Sequence, residues 1–298
     1  MGITRRQALG VFAGAGAAAA ATVTRAEAST PGSTPPADAL GLLYDATRCI
    51  GCKACMVACA EANALVPDTS QAPGHLWQMP LDLNGHTKTI IKLYRGAGEE
   101  SFFKAQCMHC LDPACANACM LGALHKGEHG IVSYDPDRCI GCRYCEIACP
   151  FNIPKFEWDS NAPKIVKCEL CRDRLANGKQ PACTQACPRQ AVIFGQRADL
   201  LAEAHRRIDG EPGKYVPAVY GEHEGGGTQV LYLSHVAFDK VGLPSLDTTP
   251  VPVPQRALQT MLYRGFAAPL ALYGALAAVM IRNRRKGHEG DADGEETR

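Results

Sequence analysis

The chain has almost no excess of charge of either sign. Its 298 residues include 31 lysines and arginines and 30 aspartates and glutamates, so the formal net charge is +1. A nucleic-acid-binding domain usually has a clear basic excess. The composition therefore argues against a nucleic-acid partner, and we predict none.

Two signatures of other chemistry are also missing. The sequence has no C-x-x-C-H stretch, which is the attachment signature of c-type haem. No G-x-G-x-x-G stretch follows a predicted strand, and the glycines at 225–227 lack the context of a phosphate loop. We therefore predict no catalytic residue in this chain and no small-molecule substrate of its own.

Cysteine, in contrast, is abundant: there are sixteen, and they divide into four quartets with none left over. In the first and third quartets the spacing is C-x2-C-x2-C-x3-C, by which thiolates hold a 4Fe-4S cluster. The second and fourth quartets both begin C-x2-C and end PAC-x2-AC. We therefore predict four 4Fe-4S clusters. The quartets are, in chain order, Cys49, Cys52, Cys55, Cys59; Cys107, Cys110, Cys115, Cys119; Cys139, Cys142, Cys145, Cys149; and Cys168, Cys171, Cys183, Cys187.

Two other uses of cysteine compete with this interpretation. An even number in an exported chain is compatible with a disulfide framework. Disulfides, however, give no reason to repeat one spacing, and a chain of this length can bury a core without them. Structural zinc favours separated C-x2-C pairs that close one tetrahedron. Here a third cysteine follows two residues later in two of the quartets, so a structural zinc protein is the weaker alternative.

An internal duplication indicates the fold. Residues 48–60 read RCIGCKACMVACA, and residues 138–150 read RCIGCRYCEIACP. Between the second and third quartets, the length allows a short helix and a strand over 131–134, as in a bacterial two-cluster ferredoxin, with a closing strand over 151–156. Strand-like residues 42–44 and 191–194 flank the first and last quartets. We predict an α+β fold of two ferredoxin-like modules, one inserted in the other, with a single C-terminal transmembrane helix.

The spacing also predicts which cysteines share a cluster. In a two-cluster ferredoxin, the first three cysteines of a run bind one cluster and the fourth binds its neighbour. Applied here, cluster 1 has Cys49, Cys52, Cys55 and Cys187; cluster 2 has Cys107, Cys110, Cys115 and Cys149; cluster 3 has Cys139, Cys142, Cys145 and Cys119; and cluster 4 has Cys168, Cys171, Cys183 and Cys59.

Both ends of the chain suggest a membrane location. Arg5 and Arg6 precede an apolar Ala/Gly run, and 26–28 offers a small-residue cleavage site, an arrangement that resembles the twin-arginine export signal. Residues 265–281 carry no charge and are at the short limit for a membrane helix, with a buried core helix as the alternative. The basic cluster at 282–286 predicts that the tail is cytoplasmic.

These observations give a domain organisation. We expect residues 1–28 to be the export signal and residues 40–105 and 160–215 to form one discontinuous ferredoxin module. Residues 106–159 would form the inserted two-cluster module, and 216–260 an extension with a Pro-rich linker. A transmembrane helix over 261–282 and a polar tail over 283–298 would follow. A helix over 197–208 and a strand over 228–236 are also predicted.

Residues between the ligands allow two interpretations. His109, between Cys107 and Cys110, either donates a hydrogen bond to a cluster sulfur or is a solvated spacer. Four cations near the cysteines either raise the reduction potentials of the clusters or are ordinary surface charge. They are Lys53, Arg143, Arg172 and Arg174.

With these features in place, the chain resembles the four-cluster ferredoxin subunits of membrane-bound respiratory oxidoreductases. It is most similar to the electron-transfer subunit of the Hyb-type periplasmic nickel-iron hydrogenase, the hydrogenase-2 family. The stretches that carry the resemblance are LGLLYDATRCIGCKAC, QCMHCLDPAC, GCRYCEIACPFNIPKF, KCELC, AVIFG and YGEHEGGGTQVL. Alanine and methionine follow the fourth cysteine at positions 60 and 120, where proline is common in the family.

The resemblance implies a function and partners. It implies a non-catalytic subunit that takes electrons from the hydrogenase small and large subunits and passes them to an integral membrane quinone-reducing subunit. Its place would be the periplasmic side of the cytoplasmic membrane, anchored by one C-terminal helix. The iron-sulfur β subunit of a formate dehydrogenase, or of another molybdoenzyme, is the alternative. The export signal on the chain itself favours hydrogenase, because the formate dehydrogenase subunit typically travels with its partner's signal.

Overall fold

The computed structural model describes residues 34–66, 80–96, 98–253, 270 and 272–282. The chain divides into two compact units, Met1–Pro250 and Val251–Arg298. All sixteen cysteines lie in the first unit.

The first unit is built from short strands and short helices, as an α+β fold requires. Its strands are β1 (Leu40–Asp45), β2 (Thr89–Gly96), β3 (Glu99–Gln106), β4 (Leu124–Lys126), β5 (Val132–Tyr134), β6 (Lys155–Phe156), β7 (Ile165–Val166), β8 (Val192–Gln196) and β9 (Val230–Leu233). Its helices are α1 (Ala54–Ala62), α2 (Ala114–Asn117), α3 (Tyr144–Ala148), α4 (Arg172–Ala176), α5 (Ala182–Gln185) and α6 (Arg197–Gly210).

A three-stranded sheet in the order β8-β1-β9 lies at the centre of this unit. β1 pairs with β8 in the antiparallel sense, with Leu42 opposite Phe194. The predicted partnership of the strands beside the first and last quartets is therefore confirmed. On its other edge β1 runs parallel to β9, with Leu42 opposite Val230. The strand predicted over 228–236 is confirmed as the shorter β9, and it belongs to the central sheet although its segment was expected to be an extension outside the modules.

β1 is buried along nearly its whole length because both faces of the sheet are covered. On one face Leu43 and Leu231 pack against α6, whose Leu200 and Ala204 are four residues apart on one side of the helix. On the other face Leu42 and Tyr44 contact the main core, which includes several cysteines. The predicted helix over 197–208 is confirmed and extends to residue 210.

A long hairpin, β2-β3, covers the cysteine loops of the first module. Its eight-residue strands pair in register, with Thr89 opposite Gln106. Two buried tyrosines of the sheet anchor it: the Tyr44 hydroxyl donates to the carbonyl of Phe102 over 2.7 Å, and the Tyr232 hydroxyl donates to the carbonyl of Lys104 over 2.6 Å. The hairpin is thereby fixed beside the core.

Two further strand pairs flank the inserted quartets. β4 pairs with β5, which confirms the strand predicted over 131–134. The closing strand predicted over 151–156 is shorter than expected, because only Lys155 and Phe156 pair with β7. Asn152 has a left-handed φ of 52°, which breaks an extended strand, and Pro154 has no N–H to donate.

The predicted membrane segment is only partly described. Residues 272–282 of the second unit are helical, and their large apolar side chains are exposed. No helix within the described residues is long and apolar enough to cross a bilayer, so the transmembrane helix expected over 261–282 is not confirmed. The predicted export signal over 1–28 and the tail over 283–298 lie outside the described residues.

Candidate iron-sulfur sites

All four quartets form their first loop in the same way. The residue directly before the second cysteine has a left-handed backbone, with φ of 67° at Gly51, 48° at His109, 70° at Gly141 and 52° at Leu170. Glycine takes this conformation freely, whereas leucine and histidine take it at a cost of about 1–2 kcal/mol. The same turn is therefore imposed on all four loops, although only two of them have glycine there.

Two of the predicted ligand sets each line one cavity. Cys49, Cys52, Cys55 and Cys187 line a cavity that is closed by Tyr44, Ile91 and Lys104. Cys119, Cys139, Cys142 and Cys145 line another, between Tyr134 and Ile165. In both cavities the fourth cysteine comes from the loop that the exchange of ligands predicts. The assignment of cysteines to clusters 1 and 3 remains a prediction, and this grouping supports it.

Electrostatic interactions connect the members of the other two sets, whose assignment also remains a prediction. The thiol of Cys110 interacts electrostatically with those of Cys149, Cys115 and Cys107. The thiol of Cys59 interacts with those of Cys183 and Cys171, and Cys168 interacts with Cys59 and Cys183. These neighbours are the members predicted for clusters 2 and 4.

Backbone N–H groups point at several of the sulfurs. The N–H of Gly141 donates to Cys139 Sγ over 3.4 Å, that of Leu170 to Cys168 Sγ over 3.4 Å, and that of Ala191 to Cys187 Sγ over 3.2 Å. Such bonds favour the thiolate and, in an iron-sulfur site, raise the reduction potential. The loops are thus arranged for charged sulfur ligands.

Burial has the opposite effect on the thiols themselves. It raises the pKa of Cys59 and Cys145 to about 12 and that of Cys55 and Cys149 to about 11. Without a cluster these thiols are protonated at neutral pH. Because metal ligands must be deprotonated, loading of iron and sulfide has to release protons.

The geometry separates the three uses of cysteine. All sixteen cysteines are free of disulfide bonds. Among the described residues, no group of three His, Cys, Asp or Glu side chains is close enough to hold a single metal ion. A zinc ion would draw its sulfurs to about 2.3 Å from one point, whereas a cluster is larger and keeps its ligands apart. Four cysteines around one cavity, as in two of the predicted sets, match the ligand number of a 4Fe-4S cluster.

The structure favours one interpretation of His109. The ring is fully buried, so the side chain is not a solvated spacer. The N–H of Val132 donates to Nδ1 over 3.0 Å, and burial together with Lys167 and Lys126 lowers the pKa well below its usual value. The neutral ring therefore carries its proton on Nε2, which has no hydrogen-bond partner among the described residues. A buried donor of this kind suits a cluster sulfur.

Most of the four cations identified from sequence make contacts that are common for surface cations. Arg143 lies over the ring of Trp158 at 4.4 Å, and Arg172 forms an ion pair with Glu169 at 3.6 Å. Lys53 is half-buried, which lowers its pKa. Arg174 does act on a predicted ligand: it lowers the pKa of Cys171, although burial raises that pKa more.

Sequence reasoning missed the two cations that are best placed. Lys104 and Lys167 are almost completely buried, and neither has a carboxylate partner among the described residues. Lys104 interacts with Cys183 and Cys55, and Lys167 with Cys115. In the sequence, each of these lysines is within an apolar stretch directly before a cysteine quartet. The same pattern is expected for a strand with one exposed face, so it does not indicate a buried cation.

The matched glycines of the two tight loops give a first prediction. A Cβ on Gly51 would lie 2.2 Å from the Phe102 ring, whereas a Cβ on Gly141 would lie 3.3 Å from Phe156. Both alanine variants pay the left-handed penalty, but only Gly51→Ala also forces the hairpin to move. We expect Gly51→Ala to lower stability by about 3 kcal/mol and Gly141→Ala by about 1 kcal/mol. Thermal unfolding of the loaded protein measures both, and equal losses would contradict the contact with Phe102.

Comparison with known proteins agrees with this geometry. A family model described as a 4Fe-4S dicluster domain matches residues 99–197. The chain is 38% identical to the hydrogenase-2 operon protein HybA of Escherichia coli O157:H7, over 88% of this chain and 90% of that protein. It is 35% identical to the nitrate-inducible formate dehydrogenase iron-sulfur subunit of Escherichia coli K12, over 84% and 87%. It is also 35% identical to the formate dehydrogenase iron-sulfur subunit of Haemophilus influenzae, over 82% and 80%. The chain therefore belongs to the family of HybA and the formate dehydrogenase iron-sulfur subunits, and it is an electron-transfer subunit with four 4Fe-4S clusters.

Proposed function

We propose that this chain relays electrons from the small and large subunits of a periplasmic nickel-iron hydrogenase to an integral membrane quinone-reducing subunit. Each bound cluster supplies a one-electron couple. The chain's own residues hold the clusters, set their surroundings and keep water from most of them. The printed description of HybA as a hydrogenase-2 operon protein supports this choice of partner.

The observation that carries the proposal is a continuous line of ligand sets. Cys55 of cluster 1 interacts with Cys183 of cluster 4. Cys168 of cluster 4 interacts with Cys107 of cluster 2, and Cys115 of cluster 2 interacts with Cys145 of cluster 3. These interactions support an order 1, 4, 2, 3 for the predicted sets.

The two ends of this line are also its exposed points. Of the sixteen cysteines, only Cys52 of cluster 1 and Cys142 of cluster 3 are exposed. Large apolar side chains surround both of them. Ile50 is 52% exposed beside cluster 1, while Ile140 and Met120 are 68% and 74% exposed at the rim of the cluster 3 cavity. Exposed apolar patches of this kind suit protein interfaces.

Charge placed at an end of the line should therefore block exchange with a partner. We expect Ile140→Glu to slow electron transfer within the complete complex while leaving the four reduction potentials nearly unchanged, because the side chain is at the surface. Ala202→Glu, on the exposed side of α6, is a control that adds the same single negative charge away from the ligand sets. Stopped-flow reduction of the complex measures both variants, and equal rates for the two would contradict docking at this end.

Membranes from cells that lack the chain test the partner. We expect hydrogen-dependent quinone reduction to be lost, while hydrogen-dependent reduction of an artificial dye by the catalytic subunits persists. Formate-dependent quinone reduction should be unaffected. Loss of formate activity with normal hydrogen activity would favour the alternative, a formate dehydrogenase subunit, to which the 35% identical relatives lend support.

We also propose that the chain is exported by the twin-arginine route and anchored on the periplasmic side by a helix over 261–282. The paired Arg5 and Arg6, the cleavage site at 26–28 and the basic residues at 282–286 support this. Replacing both arginines by lysine should retain the protein in the cytoplasm. Cell fractionation measures this, and unchanged export would contradict the proposal.

A further inference from the structure

One buried cation lies between two of the predicted ligand sets. The Lys104 side chain is on β3, and its relative exposure is 0%. Its Nζ donates to Thr89 Oγ1 and to Gln106 Oε1, two side chains that face the same side of the hairpin. Both acceptors are neutral, so they fix the position of the ammonium without balancing its charge. A buried lysine normally requires a compensating anion.

The groups around Lys104 indicate where that anion is. Lys104 lines the same cavity as Cys49, Cys52, Cys55 and Cys187. Its charge also interacts with Cys183, Cys168 and Cys59, which approach from the neighbouring set. The first four cysteines belong to the predicted cluster 1, and the other three belong to cluster 4. No ion pair joins Lys104 to a carboxylate in the described part of the chain. Clusters bound by these cysteines would supply the counter-charge.

We propose that Lys104 is a shared counter-cation of clusters 1 and 4 that raises the reduction potential of both. The inference rests on the ligand sets of the proposed function. Reduction adds one negative charge to a cluster, and a fixed ammonium close by in a low-dielectric interior stabilises that added charge. Because this one cation lies beside two adjoining sets, it acts on the reduction potentials of both clusters. It therefore influences electron transfer between clusters 1 and 4.

Thr89 and Gln106 make Lys104 a positioned group. Thr89 is 4% exposed and Gln106 is 1% exposed, and the two are directly opposite each other in the β2-β3 register. The carbonyl of Lys104 itself accepts the hydroxyl of Tyr232 from the central sheet. The backbone and the head group of this lysine are thus both held.

The test uses the complete chain, purified without oxygen, and redox titration followed by electron paramagnetic resonance. In Lys104→Met, which has a similar length but no charge, we expect two of the four reduction equilibria to shift at least tenfold against reduction, about 59 mV for a one-electron couple. Lys104→Arg keeps the charge, so its four reduction potentials should be close to those of the unaltered protein. Lys92→Met is the matched control, because Lys92 is on the same hairpin but pairs with Asp82 at the surface.

The results for the Lys104 variants support or contradict the inference as follows. Four intact signals with unchanged potentials in Lys104→Met would overturn the inference, while the four clusters themselves would still support the proposed function. If Lys104→Met fails to load clusters 1 and 4 but Lys104→Arg loads them, the charge is required for assembly, and the potentials are measured in Lys104→Gln instead, where unshifted potentials would overturn the inference. If both variants fail alike, Lys104 is needed for packing and the inference is wrong. The signals of cluster 4 are identified by their loss in Cys59→Ala.

Discussion

Replacing Cys59 by alanine is expected to remove the cluster held by Cys168, Cys171 and Cys183 and to leave the cluster beside Cys49 in place. Cys59 follows Cys55 by one turn of α1, yet its thiol interacts with Cys183 and Cys171. The iron content should fall from about sixteen to about twelve per chain, since one 4Fe-4S cluster is lost. Electron transfer through the chain should nearly stop, because cluster 4 is an internal member of the line.

Electron paramagnetic resonance with iron and sulfide analysis measures this loss. Cys149→Ala is the matched control in the inserted module, where it should remove cluster 2, the set with Cys107, Cys110 and Cys115. The two variants should therefore lose different signals. Loss of the cluster beside Cys49 in Cys59→Ala would mean that each quartet holds its own cluster, and the predicted exchange would be wrong.

Extraction of iron by a chelator under reducing conditions is expected to abolish the cooperative thermal transition of the first unit. The main core contains Cys55, Cys107, Cys168 and Cys183 among its buried members, so the clusters fill space within it. Their removal also leaves the buried ammonium groups of Lys104 and Lys167 without an anion. In such metalloproteins the free energy of metal binding is also free energy of folding.

Near-ultraviolet circular dichroism during heating follows this change. Addition of iron and sulfide to the extracted chain should restore the transition, which separates loss of clusters from irreversible damage. An iron-free chain that unfolds cooperatively at the original temperature would show that the clusters do not support the fold. The buried lysines would then need another partner.

The sequence predicted the parts of the fold that follow from local pattern. The quartet spacing gives the number of clusters, and the strands beside the first and last quartets pair as β1 and β8, because both are apolar and flank equivalent loops. The parallel pairing of β9 with β1 was not predicted, since nothing in residues 230–233 indicates that they pair with residues nearly two hundred positions away. Long-range pairing of this kind depends on the whole core.

The polar groups inside the core were also difficult to predict. His109 could be assigned only when its burial and the hydrogen bond from Val132 were known. Lys104 follows two phenylalanines in β3, and the alternation of a strand leaves open which face is buried. In the structure both faces of β3 are buried from Phe103 onward, and the lysine face covers the cysteine loops, where Phe102 closes on Gly51.

Iron and labile sulfide analysis of the complete chain, isolated without oxygen and examined together with its low-temperature electron paramagnetic resonance spectrum, is the most direct test of the central claim. We predict about sixteen irons and about sixteen sulfides per chain, with signals from interacting 4Fe-4S clusters. Colourless protein that contains zinc and lacks labile sulfide would contradict the account.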